Sequence, residues 1–121
     1  MILGVGTDLC SVSRMERACR SEHFVRKIFL PEEIEYARSK GNASEHFAAS
    51  FAAKEALAKA SGLGLFGIGL SGSMVRRTER GPVMIYDGAL KEKLDSLGVS
   101  RCWLSLTHEG GFALAFVVME S

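Results

Sequence analysis

A carboxylate and an ammonium group lie one helical turn apart at Glu55 and Lys59, within a segment that the sequence predicts to be one long helix. Residues 45–60 are rich in alanine, with further leucine, glutamate and lysine, and contain neither glycine nor proline. A carboxylate can bind a hard cation and a lysine can bind a phosphate, so this pair could hold both. The alternative is an ordinary surface pair that stabilises the helix by a few tenths of a kcal/mol.

The remaining side chains of this helix divide into two stripes at 3.6 residues per turn. The stripe that we expect to face the core comprises Phe47, Phe51 and Ala58. Ala48 and Ala52 precede Glu55 and Lys59 on the second stripe. Because their side chains are single methyl groups, another backbone or a ligand could come close to the helix there.

A second carboxylate, Asp8, follows an apolar, strand-like run at the start of the chain. An aspartate in a turn usually bonds local backbone amides. It is also a ligand for Mg²⁺, which commonly takes one or two protein carboxylates and completes its octahedron with water and substrate phosphates. Asp8 and Glu55 together supply that number of carboxylates.

Three segments together resemble the holo-acyl-carrier-protein synthases, the short 4′-phosphopantetheinyl transferases of fatty-acid synthesis. They are GTDLCSVSR at 6–14, FAAKEALAKA at 51–60 and LSLTHEGGFALAF at 104–116. The family pattern is G-x-D with an arginine shortly after it, then F-A-x-K-E-A-x-x-K-A, then S-x-T/S-H. The resemblance covers essentially the whole chain. It implies a single phosphopantetheinyl transferase domain over 1–121, with an antiparallel sheet packed on a long central helix.

The resemblance implies transfer of 4′-phosphopantetheine from coenzyme A to a serine of apo acyl carrier protein, with 3′,5′-ADP as the second product. Asp8 and Glu55 match the family's magnesium ligands, and Lys59 would reach a phosphate as a point charge. A serine hydroxyl is a poor nucleophile until it loses its proton. The candidate base is Glu55, or Asp8 acting through a metal-bound water.

The resemblance also places the coenzyme A nucleotide against the C-terminal Ser-x-Thr-His segment. Thr107 and His108 are therefore the expected contacts, although a lone histidine at a strand end is more often structural. The turn that contains Arg80 and Pro82 resembles the family's turn over the adenine.

The glycine-rich stretch 61–73 lies between the long helix and the next predicted strand. It is not a P-loop, because no Gly-Lys-Ser/Thr follows it. We expect an irregular connection whose glycines, Gly62 among them, let the backbone approach a phosphate or an adenine.

One position departs from the family's pattern. Many members carry an arginine where this chain has Ser50, and that arginine helps hold the 3′-phosphate of coenzyme A. Here either another cation, Lys54 or Arg76, takes its place, or the affinity for that phosphate is lower. His46 lies nearly opposite Glu55 on the helix, so the two side chains do not share one site. The resemblance leaves open that His46 touches the 3′-phosphate from a neighbouring subunit.

Residues 14–27 form a basic segment in a chain whose net charge is only +1. Arg14 matches the arginine of the family's N-terminal motif, and Arg17 and Arg20 follow on roughly the same helical face. Phe24 could supply an apolar anchor. Members of the family bind acidic acyl carrier proteins through their first helix, so we expect this segment to bind an acyl carrier protein as well. The alternative is a solvated helix face.

The composition limits the remaining possibilities. A chain of 121 residues, 47% of them hydrophobic, is long enough for one packed domain and too short for two. The near-neutral charge argues against non-specific nucleic-acid binding. We expect no membrane association, because the chain has no long apolar run and no secretory signal at its start. Three cysteines without metal-binding spacing indicate reduced thiols in a cytoplasmic protein.

Local patterns predict the order of helices and strands. Helices are predicted over about 11–19, 22–29, 31–40, 45–60 and 89–97. Strands are predicted over 1–9, 74–78, 83–86, 101–107 and 112–119. Pro31 is expected to open the third helix, Ser44 to cap the fourth, and residues 108–111 to form a hairpin turn. Helices and antiparallel strands in separate runs indicate an α+β fold.

The resemblance further implies a homotrimer with active sites at subunit interfaces. The apolar strands 102–106 and 112–119 are suited to burial between subunits. Two alternatives remain: a metal-dependent nucleotide phosphohydrolase that uses Asp8 and Glu55, and a non-catalytic module that binds carrier protein or coenzyme A. The hydrolase would act without carrier protein, and the module would bind without transfer.

Overall fold

The structure is a computed structural model that describes residues 1–69 and 71–121, so that Leu70, in the glycine-rich stretch, lies outside the described residues. The described residues form six helices and five strands. The helices are α1 (Val12–Ala18), α2 (Glu22–Ile28), α3 (Pro31–Arg38), α4 (Ala43–Ser61), α5 (Gly64–Ile68) and α6 (Gly88–Ser96). The strands are β1 (Ile2–Ser11), β2 (Ser73–Thr78), β3 (Gly81–Tyr86), β4 (Arg101–Glu109) and β5 (Phe112–Glu120).

The strands form two antiparallel sheets. One has three strands in the order β1-β5-β4, and the other is the hairpin of β2 and β3. The turn between β4 and β5 consists of Gly110 and Gly111, whose φ angles of 61° and 82° suit a two-residue hairpin loop. The fold is α+β with an antiparallel sheet on a long helix, as the sequence predicts.

Helix α4 lies at the centre of the molecule, in contact with β1, β4 and β5 of the larger sheet and with α1, α3, α5 and β2 around it. Its buried residues are Phe47, Ala48, Ala49, Ser50, Ala52, Ala53, Lys54, Ala56, Leu57, Ala58 and Ala60. The predicted division into a core stripe and an open stripe is therefore wrong for Ala48 and Ala52. Both belong to the core, because neighbouring elements surround the helix. Apart from residues 43–46 and Ser61 near its ends, only Phe51, Glu55 and Lys59 along one edge of α4 are partly open.

Two glycines allow β1 to touch the backbone of α4. A Cβ atom at Gly4 would lie 2.1 Å from the backbone oxygen of Ala60, and one at Gly6 would lie 2.0 Å from that of Ala56. No side chain fits at such distances. The small residues of α4 thus permit a close approach, as predicted, but the group that approaches is a strand of the same chain.

Some predicted boundaries are wrong. Helix α4 begins at Ala43 with Asn42 as its N-cap, so Ser44 lies inside the helix. The stretch predicted as irregular contains the five-residue helix α5. Among the described residues, no helix combines the length and the apolarity needed to cross a bilayer.

The face of the larger sheet that points away from α4 is apolar and open. Its exposed residues include Val5, Leu9, Trp103, Phe112 and Phe116. They share one face because alternate residues of a strand point to the same side. Val5 and Trp103 flank Val118 in one row across the sheet, whereas Phe116 lies between Thr7 and Ser105 in the next row. An exposed apolar face of this kind marks an interaction surface.

Candidate active site

Asp8 lies beside Lys59 because β1 packs against the C-terminal half of α4. Gly6 and Asp8 point to the same side of the strand, so the close contact at Gly6 also brings Asp8 to the helix. The Nζ atom of Lys59 donates to Oδ1 of Asp8 at 3.1 Å and to the backbone oxygen of Thr7 at 3.0 Å. Among the ion pairs of the described residues, Lys59 is thus bonded to Asp8, and not to Glu55 as an ordinary helix pair would be.

Glu55 borders the same cleft as Asp8. Burial raises the pKa of the Glu55 carboxyl above its ordinary value, the charge of Asp8 raises it further, and the charge of Lys59 lowers it. The two carboxylates are therefore close enough to repel each other. A divalent cation held between them would relieve that repulsion, since both offer the hard oxygen ligands that Mg²⁺ prefers.

These residues offer two carboxylates rather than a complete ligand set. Within residues 1–69 and 71–121, no group of three or more histidine, cysteine, aspartate or glutamate side chains has a metal-binding arrangement. The donor set at Asp8 and Glu55 fits an ion that takes its remaining ligands from water and substrate.

The cleft has a volume of about 400 Å³ and opens where β1, α1, α2 and α4 meet. Its polar lining comprises Asp8, Ser11, Arg14 and Glu55. Its other walls comprise Leu9, Cys10, Met15, Ala18, Phe24 and Phe51. The cleft therefore unites the two predicted metal ligands with Arg14 and Phe24, two of the predicted partner-binding residues.

The other two predicted partner-binding arginines lie farther along. Arg17 is exposed in the last turn of α1. Arg20 follows the end of α1 at Ala18 and lies 3.8 Å from Glu16 in an exposed ion pair. The prediction that Arg14, Arg17 and Arg20 share one helical face is wrong for Arg20, because the chain turns after Ala18.

The predicted nucleotide contacts lie outside this cleft. Thr107 and His108 are exposed at the end of β4 and point to opposite sides of the sheet. On the helix side, Nε2 of His108 lies 3.3 Å from Oε1 of Glu45, at the start of α4. His108 is thus next to the opposite end of α4 from Lys59.

The remaining predicted coenzyme contacts are in two other places. Arg80 is exposed in the turn between β2 and β3, where its backbone N–H donates to Oγ1 of Thr78 at 3.2 Å. Pro82 is half-buried in β3, directly across from Arg77. Gly62 ends α4 with a φ of 72°, and open space surrounds the position of its missing Cβ.

Lys54, one of the two cations considered for the 3′-phosphate, lies in the core and cannot reach a bound phosphate. The Lys54 side chain is only 2% exposed, and its Nζ lies 2.9 Å from Oε1 of Glu33. The same Nζ donates to the backbone oxygens of Ile28 at 2.9 Å and Ser73 at 2.8 Å. Burial lowers the pKa of Lys54, and Glu33 opposes that effect. Lys54 therefore joins α4 to α3, to the end of α2 and to β2.

Arg76, the other cation considered for this phosphate, is already paired. Its Nε and Nη2 atoms donate to the two carboxylate oxygens of Glu32, each at 2.9 Å. Both side chains are exposed. This geometry turns the guanidinium of Arg76 toward α3, away from Ser50.

Arg77 is the cation that the structure places at Ser50. Its Nη1 donates to Oγ of Ser50 at 2.9 Å, and its guanidinium carbon lies 4.7 Å from the ring centroid of Tyr36. Val75 and Arg77 share one side of β2, and Met74 and Arg76 share the other. Because Met74 and Val75 are both buried, the alternation of residues along the strand does not select Arg77 from the sequence.

Comparison with known proteins places this geometry in context. Residues 4–117 match the family described as the 4′-phosphopantetheinyl transferase superfamily. A holo-[acyl-carrier-protein] synthase of Koribacter versatilis is 40% identical over 124 residues, which cover 99% of each chain. The crystal structure of such a synthase from Neisseria meningitidis is similar with a TM-score of 0.92, 37% identity and complete coverage of both chains. A synthase from Bacillus anthracis, in complex with CoA (3′,5′-ADP), is similar with a TM-score of 0.83 and 33% identity, over 100% of this chain and 98% of that one.

Proposed function

The chain belongs to the 4′-phosphopantetheinyl transferase superfamily, and we propose on that basis that it acts as a magnesium-dependent holo-[acyl-carrier-protein] synthase. It transfers 4′-phosphopantetheine from coenzyme A to a serine of apo acyl carrier protein, in fatty-acid biosynthesis. One observation assigns this function to particular residues. Asp8, Glu55 and Arg14 line the same cleft, and Lys59 donates a hydrogen bond to Asp8 at the edge of that cleft.

In the reaction, the serine oxygen forms a bond to the phosphorus that carries the pantetheine, and the bond to the 3′,5′-ADP oxygen breaks. The serine proton must be removed as this happens. The two candidate bases are Glu55 and Asp8, which line the same cleft. A cation held between them would offset the effect of burial and of Asp8 on the pKa of Glu55, so this pKa shift does not distinguish the two carboxylates.

Asp8 and Glu55 would hold the magnesium ion, which when bound neutralises charge on the diphosphate. Lys59 is more than half exposed, so its ammonium group can turn from Asp8 toward a phosphate oxygen. Because lysine carries its charge at the end of a flexible side chain, the ammonium group can stabilise the negative charge that develops on the leaving group.

We propose that Gly62, Arg80, Pro82, Thr107 and His108 contact coenzyme A. Gly62 lies one residue beyond the end of α4, near Lys59, where its backbone faces open space. The others lie on the β2–β3 hairpin and at the end of β4, outside the cleft with Asp8. A second copy of the chain could bring its own β2–β3 hairpin and β4 end to that cleft.

The exposed apolar face of the larger sheet supports this arrangement. It would be covered if copies of the chain associated through it. We propose a homotrimer with active sites at the subunit interfaces, working in the cytoplasm. Sedimentation at several concentrations would measure the number of chains in the assembly.

Arg14, Arg17, Arg20 and Phe24 are proposed to bind the acyl carrier protein. Arg14 and Phe24 line the same cleft as Glu55, so a partner bound to them would have its serine close to Glu55. Arg17 and Arg20 are exposed close by and can attract an acidic surface from a distance.

The deciding experiment is mass spectrometry of apo acyl carrier protein incubated with this protein, coenzyme A and Mg²⁺. We expect the carrier protein to gain the mass of one phosphopantetheine, and to gain none when a chelator removes the metal. Consumption of coenzyme A without carrier protein would indicate a phosphohydrolase instead. Binding of carrier protein or coenzyme A without transfer would indicate a non-catalytic module.

A further inference from the structure

Helix α2 supplies Phe24 to the cleft and has few polar contacts with the rest of the molecule. It is not among the elements packed along α4. Within residues 1–69 and 71–121, two hydrogen bonds join α2 to other elements. One links the exposed side chains of Glu22 and Arg38. The other is buried, and in it Nζ of Lys54 donates to the backbone oxygen of Ile28 at 2.9 Å.

The apolar residues of α2 do not fix its position by themselves. Val25 is fully buried and Ile28 is nearly so. Burial of apolar surface is non-directional, so it favours contact with the core without specifying one depth or rotation of the helix. A hydrogen bond from a charged donor has a narrow range of length and angle. The bond from Lys54 therefore fixes the end of α2 against α4.

The ammonium group of Lys54 has no donor left for a ligand. Its three N–H groups match three acceptors, which are Oε1 of Glu33 at 2.9 Å and the backbone oxygens of Ile28 at 2.9 Å and Ser73 at 2.8 Å. The Lys54 side chain is 2% exposed and that of Glu33 is 0% exposed. Because substrate cannot reach this group, its contribution must be made through the elements that it joins.

The carboxylate of Glu33 is used as fully as the ammonium group. Oε1 also accepts from the backbone N–H of Leu30 at 3.1 Å, and Oε2 accepts from that of Val75 at 2.9 Å. Replacing a buried ion pair by apolar residues of similar volume is often neutral for stability. The pair of Lys54 and Glu33 is therefore better explained by the arrangement of α2, α3, α4 and β2 that it specifies.

The same bond connects the two walls of the cleft. Consecutive residues of a helix point about 100° apart, so Lys54 faces the core while Glu55, the next residue of α4, borders the cleft. Phe24 lies one turn before Ile28 on the same edge of α2, so a displacement of Ile28 also displaces Phe24. The bond between Lys54 and Ile28 thus sets the separation of Phe24 from Glu55.

We propose that Lys54, held by Glu33, is a positioning residue for the carrier-protein side of the cleft. Its bond to Ile28 keeps Phe24 at the distance from Glu55 at which a bound carrier protein presents its serine. This inference rests on the proposed function, in which Phe24 and the arginines near it bind the acyl carrier protein. Lys54 itself touches neither substrate.

The test measures KM separately for carrier protein and for coenzyme A in Lys54→Met, which keeps an unbranched side chain without the ammonium group. We expect the KM for carrier protein to rise roughly tenfold and that for coenzyme A to change less than about twofold. A merely structural residue would act differently, because a smaller folded fraction lowers the measured kcat and leaves both KM values unchanged.

Leu94→Ala is the matched control. Leu94 is also buried, but it lies in α6, which does not line the cleft. Its truncation leaves a cavity in the core and should lower the unfolding midpoint. Both KM values should stay at those of the wild type. An equal rise in the KM for carrier protein in Leu94→Ala would overturn the proposal.

A double variant tests whether Lys54 acts through Phe24. Phe24→Ala should itself raise the KM for carrier protein. Since the bond of Lys54 serves to place Phe24, Lys54→Met should raise that KM little further in the Phe24→Ala background. Equal increases in the two backgrounds would mean that Lys54 acts by another route and would overturn the proposal.

Lys54→Gln is the milder variant of the same position. Its amide keeps N–H donors for a backbone oxygen but has no charge, so the KM for carrier protein should rise less than in Lys54→Met. Should Lys54→Met fail to fold, the rise in Lys54→Gln decides the question. An unchanged KM for carrier protein in the Lys54 variant that folds, or an equal rise in the KM for coenzyme A, would overturn the proposal.

Hydrogen exchange separates this proposal from the proposed function. If the wild-type protein modified no carrier protein, the proposed function would fail and no KM would exist to compare. The amides of α2 should still exchange faster in the folded Lys54 variant than in the wild type, by a larger factor than the amides of α6. Equal factors in α2 and α6 would mean that Lys54 does not hold α2, and would overturn the proposal.

Discussion

Replacing Gly6 by alanine should damage the active site although Gly6 itself touches no substrate. Gly6 is the point at which β1 meets the backbone of α4. A methyl group there would lie 2.0 Å from the backbone oxygen of Ala56 and 2.8 Å from the backbone nitrogen of Ala60. Neither atom belongs to a flexible side chain, so the strand and the helix must separate.

The size of the effect follows from these distances. An ordinary contact begins near 3.4 Å, so the strand must move by about 1.4 Å at Gly6 in a close-packed interior. Overpacking of this kind costs roughly 1–3 kcal/mol of unfolding free energy. Asp8 lies two residues along on the same side of the strand, and its 3.1 Å bond to Lys59 would not survive such a shift. A misplacement of about 1 Å can reduce a rate by roughly a hundredfold.

The assay is kcat/KM for carrier-protein modification, with the thermal unfolding midpoint measured on the same samples. Gly4→Ala is a matched variant, because its Cβ would lie 2.1 Å from the backbone oxygen of Ala60 but four residues from Asp8. It should lose similar stability and less activity. Gly41→Ala, with no atom within 4 Å, should retain both. If Gly6→Ala folded with wild-type kcat/KM, Asp8 would not depend on this contact and the reasoning would be refuted.

Three other changes test the cleft directly. Glu55→Gln should abolish transfer yet raise the unfolding midpoint in metal-free buffer at neutral pH, because burial and Asp8 raise the pKa of Glu55 and its ionisation disfavours the folded state. This gain in the unfolding midpoint should disappear as the pH falls below about 4.3, where a glutamate in the unfolded chain is also protonated. Added Mg²⁺ should raise the unfolding midpoint of the wild type and not that of the variant. Lys59→Ala should raise the KM for coenzyme A and lower kcat in steady-state kinetics, so that the activation free energy derived from kcat/KM rises by about 2–4 kcal/mol. Lys91→Ala, which removes an exposed ion pair on α6, should change kcat/KM very little. Arg14→Glu should raise the KM for carrier protein, less so at high salt, and leave that for coenzyme A nearly unchanged; the reverse pattern would place Arg14 at the nucleotide.

Local signals were sufficient for most of the secondary structure. Pro31 and the acids after it mark the start of α3, and paired glycines mark the β4–β5 turn. Alanine-rich composition predicts α4 to within two residues at each end. The exception is α5, which forms among glycines that disfavour a helix and were therefore predicted to be irregular.

The candidate site also has one part that the sequence predicts and one part that it does not. Asp8, Glu55 and Lys59 were predicted from residue type, helical spacing and family pattern, and the structure brings them together. The closeness of Glu55 and Lys59 could be predicted because both lie on the same edge of one helix. The placement of Asp8 beside them depends on the glycines of β1, whose closeness to α4 cannot be deduced from spacing alone.

The sequence by itself determined every helix and strand of the described residues except α5, because propensity, capping and periodicity act over a few neighbouring residues. Only the tertiary structure decided which cations are available to a ligand. Lys54 looked suitable for a phosphate but lies in the core with Glu33, while Arg77, 27 residues from Ser50 in the chain, is the cation beside it. Such pairings are set by how β2 packs against α3 and α4. Packing between residues so far apart in the chain produces no periodic pattern in the sequence.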